Sequence, residues 1–190
     1  MAHFFASPIF FIKLMGAIML TKIDLCSMAL LKLGEAPIQS LSDDTASAQL
    51  ARTLFEPITD ALIASHPWRF AISQLDLVPD ADGNFVIPTN VLRVLKSNGN
   101  IVGNKIISPS DKITITACVR VDVDKYPSYF VSLVATKLAM EFCIPLSGDQ
   151  NVFRMLTALY ESELQSAKFI DSTTTFGTQI SDFSLINARF

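Results

Sequence analysis

The sequence predicts an α+β fold: a mainly helical bundle of about four helices, a small antiparallel β subdomain inserted between the second and third helices, and an extended C-terminal tail. On both sides of the middle of the chain, apolar residues recur every three to four positions, which is typical of amphipathic helices. Between residues 70 and 121 the period is two, and turn residues interrupt it, which is typical of short strands. Residues 171–190 show no sustained period, and this indicates the tail.

The composition favours a protein whose surface is covered by a membrane or by other subunits. Its 190 residues suffice for one domain with an inserted subdomain. Half of the residues (50%) are hydrophobic and 17% are charged, against about 25% charged residues in an average soluble domain. The excess apolar surface needs a membrane or neighbouring subunits to cover it. The net charge of −3, without a block of Lys or Arg, argues against an autonomous nucleic-acid binder.

An apolar leader, residues 1–19, precedes the main domain and has three interpretations. Pro8 and Lys13 count against a transmembrane helix, and the leader lacks the basic start and small-residue cleavage site of a signal peptide. The first interpretation is a misassigned start, with Met15 or Met19 as the true first residue. The second is a real segment that packs against a partner, and the third is a signal peptide or membrane anchor.

Two helices are predicted at the start of the main domain, which covers residues 20–170. The first spans residues 21–33, because Thr21 and Asp24 have the spacing of a capping box. Gly34 directly follows this span and is a typical helix stop.

The second helix is predicted over residues 44–65 and contains an internal proline. Pro57 is expected to kink it. The helix ends before His66, because Pro67 disfavours helical backbone at the residue that precedes it. Its apolar stripe repeats every four residues and consists of Leu50, Leu54, Ile58 and Leu62.

The β subdomain is predicted over residues 70–121 as a small antiparallel sheet with one solvent-facing side. Its clearest strand is 112–121, in which apolar residues alternate and Cys118 falls on the solvent-facing side. The glycines and asparagines at 98–100 and 103–104 predict two hairpin turns rather than a phosphate-binding loop, whose spacing they lack.

Two further helices are predicted over residues 125–143 and 150–169, with a break from Pro145 to Asp149 between them. The tail that follows, residues 171–190, is too apolar for a solvated terminus and is expected to order on a partner. Its apolar residues are Phe176, Ile180, Phe183, Leu185, Ile186 and Phe190.

The sequence contains no recognisable catalytic, cofactor-binding or metal-binding pattern. His66 is the sole histidine of the main domain, and its place between a helix end and Trp68 favours a packing role. The three cysteines are widely spaced and contain no C-x2-C pair, which argues against a zinc site or a disulfide framework. We therefore predict a protein that is not an enzyme and needs no cofactor or metal.

Several motifs follow one another between residues 23 and 72. They read ALLKLGEAPI at Ala29–Ile38, SLSDD at Ser40–Asp44 and HPWRFA at His66–Ala71. In this order and spacing they resemble the tail tubular protein A-like adaptor family, the head-to-tail connector proteins of short-tailed bacteriophages. The resemblance spans roughly residues 20–170 and does not include the leader.

The resemblance implies a structural role in virion assembly. Members dock beneath the portal protein as a dodecameric ring, present a platform to the tail nozzle protein, and let DNA pass through the lumen without specific binding. The expected location is the neck of the virion, between head and tail, with assembly in the host cytoplasm and no membrane. The six apolar tail residues are at the position that binds the portal in related adaptors.

Within such an adaptor, Trp68 and Phe70 are expected to hold the β subdomain against the bundle. Together with Pro57, His66 and Pro67 they form the predicted structural junction. Two other classes of function stay open: a membrane-anchored or other oligomeric helical scaffold, and a phage wall-degrading hydrolase. The shortage of catalytic residues counts against the hydrolase.

Overall fold

Over residues 19–173 the fold is α+β, with four helices and an antiparallel β subdomain between the second and third of them. The computed structural model describes residues 19–173. The helices are α1 (Lys22–Lys32), α2 (Ala46–Ser65), α3 (Ser128–Leu146) and α4 (Gln150–Thr173). The strands are β1 (Ile72–Leu77), β2 (Phe85–Val86), β3 (Val91–Lys96), β4 (Asn100–Val102), β5 (Lys105–Ile107) and β6 (Ile113–Val119). Two 3-10 turns, Arg69–Ala71 and Val123–Lys125, lead into and out of the β subdomain.

Helix α3 is the centre of the bundle and packs against each of the other three helices. Its buried side chains include Phe130, Leu138 and Phe142. It is also the one helix of residues 19–173 that is long and apolar enough to cross a membrane by length and composition. Since 56% of its apolar stretch is buried inside the protein, its place in the core accounts for this composition.

The ends of α1 confirm the predicted cap and stop. The Thr21 hydroxyl accepts the Asp24 N–H at 3.2 Å, and the Asp24 carboxylate accepts the Thr21 N–H at 2.8 Å. These two bonds are the capping box. At the other end Gly34 adopts φ +76°, which lets the Glu35 N–H reach the Leu30 carbonyl at 3.0 Å.

The buried face of α2 is rotated from the predicted apolar stripe. Leu62 is buried, but Leu50, Leu54 and Ile58 are only half-buried at the edge of the core. The other buried positions are Ala48, Ala51, Phe55, Thr59 and Ile63. Small side chains on this face let α2 approach the core closely, and the leucines then flank the contact. Pro57 lies within α2 with its side chain exposed.

Both ends of α3 differ from the prediction. The helix begins later than residue 125, because Pro127 holds Tyr126 in extended backbone (φ −70°, ψ 127°). It then continues through Pro145 to Leu146. The proline is tolerated in this last turn because its ring is exposed, and the Ser147 N–H closes the helix end on the Cys143 carbonyl at 2.9 Å.

Helix α4 is longer than predicted. It runs to Thr173 rather than to residue 169, so the first residues assigned to the tail are helical. Asp171 explains the extension, because its side chain is buried and hydrogen-bonded to other parts of the chain.

The β subdomain contains two three-stranded antiparallel sheets, ordered β1-β6-β3 and β2-β5-β4, instead of a single sheet. A small core of their own consists of Leu77, Phe85, Ile106, Ile113, Ile115 and Ala117. Cys118 on β6 belongs to the core of the helical bundle, so its predicted solvent-facing position is wrong. The bundle covers the side of the first sheet on which Cys118 lies, so the predicted solvent-facing side is not fully exposed.

The connection from β3 to β4 also differs from the prediction. Gly103 and Asn104 form the predicted two-residue hairpin between β4 and β5, with Gly103 at φ +60°. Residues 97–99 do not form a hairpin, because β3 and β4 are edge strands of different sheets. A gap therefore separates two strands that follow each other in sequence.

Candidate functional site at the bundle–sheet junction

The junction between the bundle and the β subdomain starts where α2 ends. His66 takes extended backbone (φ −138°, ψ 146°) because Pro67 follows it. Trp68 is completely buried, and its indole Nε1 donates to the Leu62 carbonyl at 2.9 Å. The chain is thereby tied to the last turn of α2 before it enters β1.

Aromatic side chains pack around Trp68. Its ring centroid lies 4.7 Å from that of His66 and 5.2 Å from that of Phe130, both in edge-on geometry. The Phe70 ring lies 4.7 Å from Phe130 and 5.9 Å from Tyr126. These contacts hold the link between α2 and β1 against the start of α3.

Asp171, near the end of α4, completes the junction. Its Oδ1 accepts the Tyr129 hydroxyl at 2.6 Å, and both carboxylate oxygens lie within reach of the Arg69 N–H, at 3.2 and 3.3 Å. Its Oδ2 is 4.0 Å from Nε2 of His66. With a relative exposure of 3%, this is a buried carboxylate whose partners come from two other parts of the chain, the link after α2 and the start of α3.

Asp171 is not among the predicted site residues, because the predicted tail begins at residue 171. A signal was present, since Leu164, Ala167 and Asp171 continue the inward face of the helix at spacings of three and four. An acidic residue at such a position predicts the end of the buried helix face, unless its hydrogen-bond partners are known.

Burial and neighbouring charges set the titration of the junction. Burial lowers the pKa of His66; Lys168 and Arg93 act in the same direction, while Asp171 opposes them. Burial, followed by the bond to Asp171, raises the pKa of Tyr129. His66 is therefore neutral at neutral pH, and Tyr129 keeps the proton that it donates.

A second polar cluster joins α1, α3 and α4. Lys32 donates to the Thr136 hydroxyl at 2.8 Å and lies 3.8 Å from the Glu163 carboxylate. The same carboxylate accepts the Ser132 hydroxyl at 2.8 Å, while its other oxygen, Oε2, is buried without a hydrogen-bond partner among the described residues. The cluster fixes the relative position of the three helices through charged and polar groups.

The predicted junction residues are brought together only in part. His66, Trp68 and Phe70 belong to one aromatic group, and Pro67 connects them with its ring exposed. Pro57 lies roughly 13 Å from His66 along the axis of α2, at 1.5 Å per residue. The six apolar tail residues, Phe176, Ile180, Phe183, Leu185, Ile186 and Phe190, lie outside the described residues.

Large apolar side chains remain exposed on α4 and α1, and at Ile144 near the end of α3. On α4 the exposed fractions are 71% for Met155 and 69% for Phe169, and on α1 the fraction is 61% for Leu31. Because the core of the bundle is already filled around α3, these side chains are left as exposed apolar surface.

In the part of the chain that the structure describes, no group of three His, Cys, Asp or Glu side chains is placed to hold a metal ion. A family model described as tail tubular protein matches residues 23–179. The chain belongs to the tail tubular protein family. The match begins in the first turn of α1 and includes every described helix and strand. No curated protein matches the chain significantly.

Membership in the tail tubular protein family gives the chain a structural role in a bacteriophage tail and a location in the virion. It also agrees with the resemblance of the motifs between residues 23 and 72. Tail tubular proteins are structural and generally not enzymes.

Proposed function

We propose that this tail tubular protein forms an oligomeric ring in the virion neck, where it joins the portal to the tail and leaves a channel for DNA. The observation that carries the proposal is the pair of exposed apolar surfaces on α1 and α4, represented by Leu31, Met155 and Phe169. A subunit with an apolar surface on each of two helices fits a closed ring, in which each copy contacts two neighbours. We take twelve copies from the family resemblance.

The C-terminal tail is the proposed anchor on the portal. It continues from α4 at Thr173, and Asp171 fixes the direction in which that helix ends. The apolar tail residues Phe176, Ile180, Phe183, Leu185, Ile186 and Phe190 become covered when the tail orders on the portal surface. The opposite side of the ring then serves as the platform for the tail nozzle protein.

DNA passes through the lumen without specific binding in this proposal. Tight binding to the phosphate backbone needs several Lys or Arg side chains, and the net charge of the chain is −3. The proposal includes no catalytic step, cofactor or membrane, and assembly takes place in the host cytoplasm.

We assign a structural role to His66, Pro67, Trp68 and Phe70, which hold the β subdomain against the bundle. Pro57 is assigned the role of kinking α2. The proposal is supported by the buried indole of Trp68 and its bond to the Leu62 carbonyl. Since Asp171 reaches the same junction, the end of α4 is held by it as well.

Negative-stain imaging tests the proposal directly. The chain from Met19 is mixed with the portal protein encoded by the same DNA, and we expect a ring-shaped layer beneath the portal. Deletion of residues 174–190 leaves α4 complete and is expected to abolish the layer. The matched control replaces Asp182 by Asn within the tail and keeps its apolar residues.

The outcomes separate the two parts of the proposal. A layer that survives the deletion keeps the ring and moves the anchor to the bundle. Absence of a layer with the full tail, while circular dichroism shows folded protein, contradicts the adaptor role. The alternative of an oligomeric helical scaffold with another partner would then be preferred.

A further inference from the structure

We propose that the gap between β3 and β4 holds part of residues 174–190 of the same chain as an added β-strand. The gap is an open groove of about 450 Å³. Its walls are mainly apolar and include Ile87, Val91, Arg93, Val94 and Ile101. The inference concerns the free subunit and does not depend on binding to a portal.

The groove lies between the edge of β3 and Ile101 on the edge of β4, and the loop 87–89 and the turn 103–104 also line it. β3 pairs only with β6, and β4 pairs only with β5 among the described strands. Ile101 and Val102 on β4 are exposed although they are large and apolar. A strand edge with unpaired backbone groups is a template for a further strand, and apolar side chains beside it strengthen the contact.

The C-terminal segment has the composition of such a strand. Residues 174–190 contain threonine, phenylalanine and isoleucine, which favour strands, and no proline. Apolar and polar residues alternate through Phe183, Ser184 and Leu185. In an extended conformation Phe183 and Leu185 point to one side, where they can contact the apolar wall.

The segment starts close enough to reach the groove. Asp171 in α4 lies 4.0 Å from His66, and the guanidinium of Arg93 in the groove lies 3.5 Å from the carbonyl of Ser65. The end of α4 and the groove thus contact adjacent residues at the end of α2. Residues 174–180, fully extended, span roughly 23 Å, which leaves the following residues free to pair with β3 or β4.

Charge favours this segment over the apolar leader as the occupant. Arg93 is the one charged side chain among the residues that line the groove. The C-terminal segment has Asp182 beside Phe183, and its one cation, Arg189, lies near the end of the chain, whereas the leader has Lys13 as its only charged side chain and also contains Pro8. A carboxylate is attracted to the guanidinium of Arg93, while a second cation is repelled.

Docking in the groove covers strand edges that would otherwise be open to pairing between copies. It also withholds the tail from other partners. The consequence that groove and portal compete for the tail rests on the proposed function, whereas the docking itself does not.

Hydrogen exchange on the full chain without portal tests the docking. We expect the β3 and β4 amides to exchange about tenfold more slowly in the native chain than in Phe183→Asp, since that change removes the strand. Ile101→Lys alters the groove instead of the segment and is expected to speed exchange in residues 180–186 by a similar factor. Val78→Asp, at an exposed position outside the groove, serves as the control and should leave both rates unchanged.

Three results would overturn the proposal. The first is equal exchange of the β4 amides in the native chain and in Phe183→Asp. The second is protection that increases with protein concentration, because it would assign the strand to a second copy. The third is protection that persists in Phe183→Asp but disappears in Phe10→Asp, because the leader would then be the occupant.

Discussion

The phenolic hydroxyl of Tyr129 donates to Asp171 at 2.6 Å and so connects the start of α3 to the end of α4. The same carboxylate accepts the backbone N–H of Arg69, which lies in the link between α2 and β1. One buried side chain therefore holds three separate parts of the chain in a fixed arrangement. The position from which the C-terminal tail leaves the bundle is set at this point.

Asp171→Ala is expected to lower the free energy of unfolding by about 1–3 kcal/mol, because it leaves buried donors without an acceptor. Tyr129→Phe removes only one of these donors and is expected to lower the free energy of unfolding by less than Asp171→Ala does. The loss in the double variant should be smaller than the sum of the two, since both changes break the same bond. Urea unfolding of the three variants measures this, and losses that add within about 0.5 kcal/mol would contradict the coupling.

The stability of the protein should fall as the pH drops below the ordinary histidine pKa of about 6.5. Burial holds the pKa of His66 below that value in the folded chain, so the unfolded chain takes up the proton first. The contribution of His66 to the free energy of unfolding is complete above pH 6.5. It decreases as the pH falls toward the pKa of His66 in the folded chain, and it is constant below that pKa. His66→Gln removes the titrating group and should flatten the thermal-unfolding profile between pH 5 and 7. An unchanged slope in the variant would show that other groups cause it.

Lys32→Met should cost more stability than the simultaneous loss of both partners of the Lys32–Glu163 pair. Removal of the cation leaves the half-buried carboxylate of Glu163 without its charge partner, for an expected loss of about 1–3 kcal/mol. Adding Glu163→Met to that variant should restore part of the lost stability, because no uncompensated charge then remains. Lys125→Met is the control, since its pair with Asp122 is exposed and should contribute little. Equal losses for the single and double variants would argue against a charge-pairing role.

Met155→Glu and Phe169→Glu should each weaken ring formation without unfolding the subunit. Both side chains are mostly exposed on α4, and a charge there would be buried between copies. We expect at least about a tenfold weaker association, equivalent to about 1.4 kcal/mol, in sedimentation experiments with the portal protein present. Val78→Glu is the matched control, at 73% exposure outside the helices. If it weakens the ring as much as Phe169→Glu does, the contact surface is not on α4.

Local signals in the sequence predicted the helices well. The capping pair Thr21 and Asp24 and the stop at Gly34 define α1 through contacts between near neighbours. The dipeptide His66-Pro67 likewise ends α2 where predicted, because the restriction acts on adjacent residues. Such features depend little on the rest of the fold.

Features that depend on distant contacts were not predictable in the same way. The extension of α4 requires the partners of Asp171, which lie about a hundred residues earlier in the case of Arg69. The division into two sheets depends on which edges pair, and the turn signal near Gly99 does not contain that information. Cys118 is buried because the bundle covers one side of its sheet, a contact that an alternating pattern in one strand cannot reveal.

Trp68 is the single tryptophan of the chain, and it lies in the dry interior where the bundle and the β subdomain meet, beside the imidazole of His66. Emission excited at the long-wavelength edge of tryptophan absorption, where the three tyrosines absorb little, therefore originates from one known place. A shift of that emission to longer wavelength reports water entering the junction, and quenching in mild acid reports protonation of the adjacent ring. The chain thus contains its own optical probe, and loosening of this point during assembly can be followed without attaching a dye.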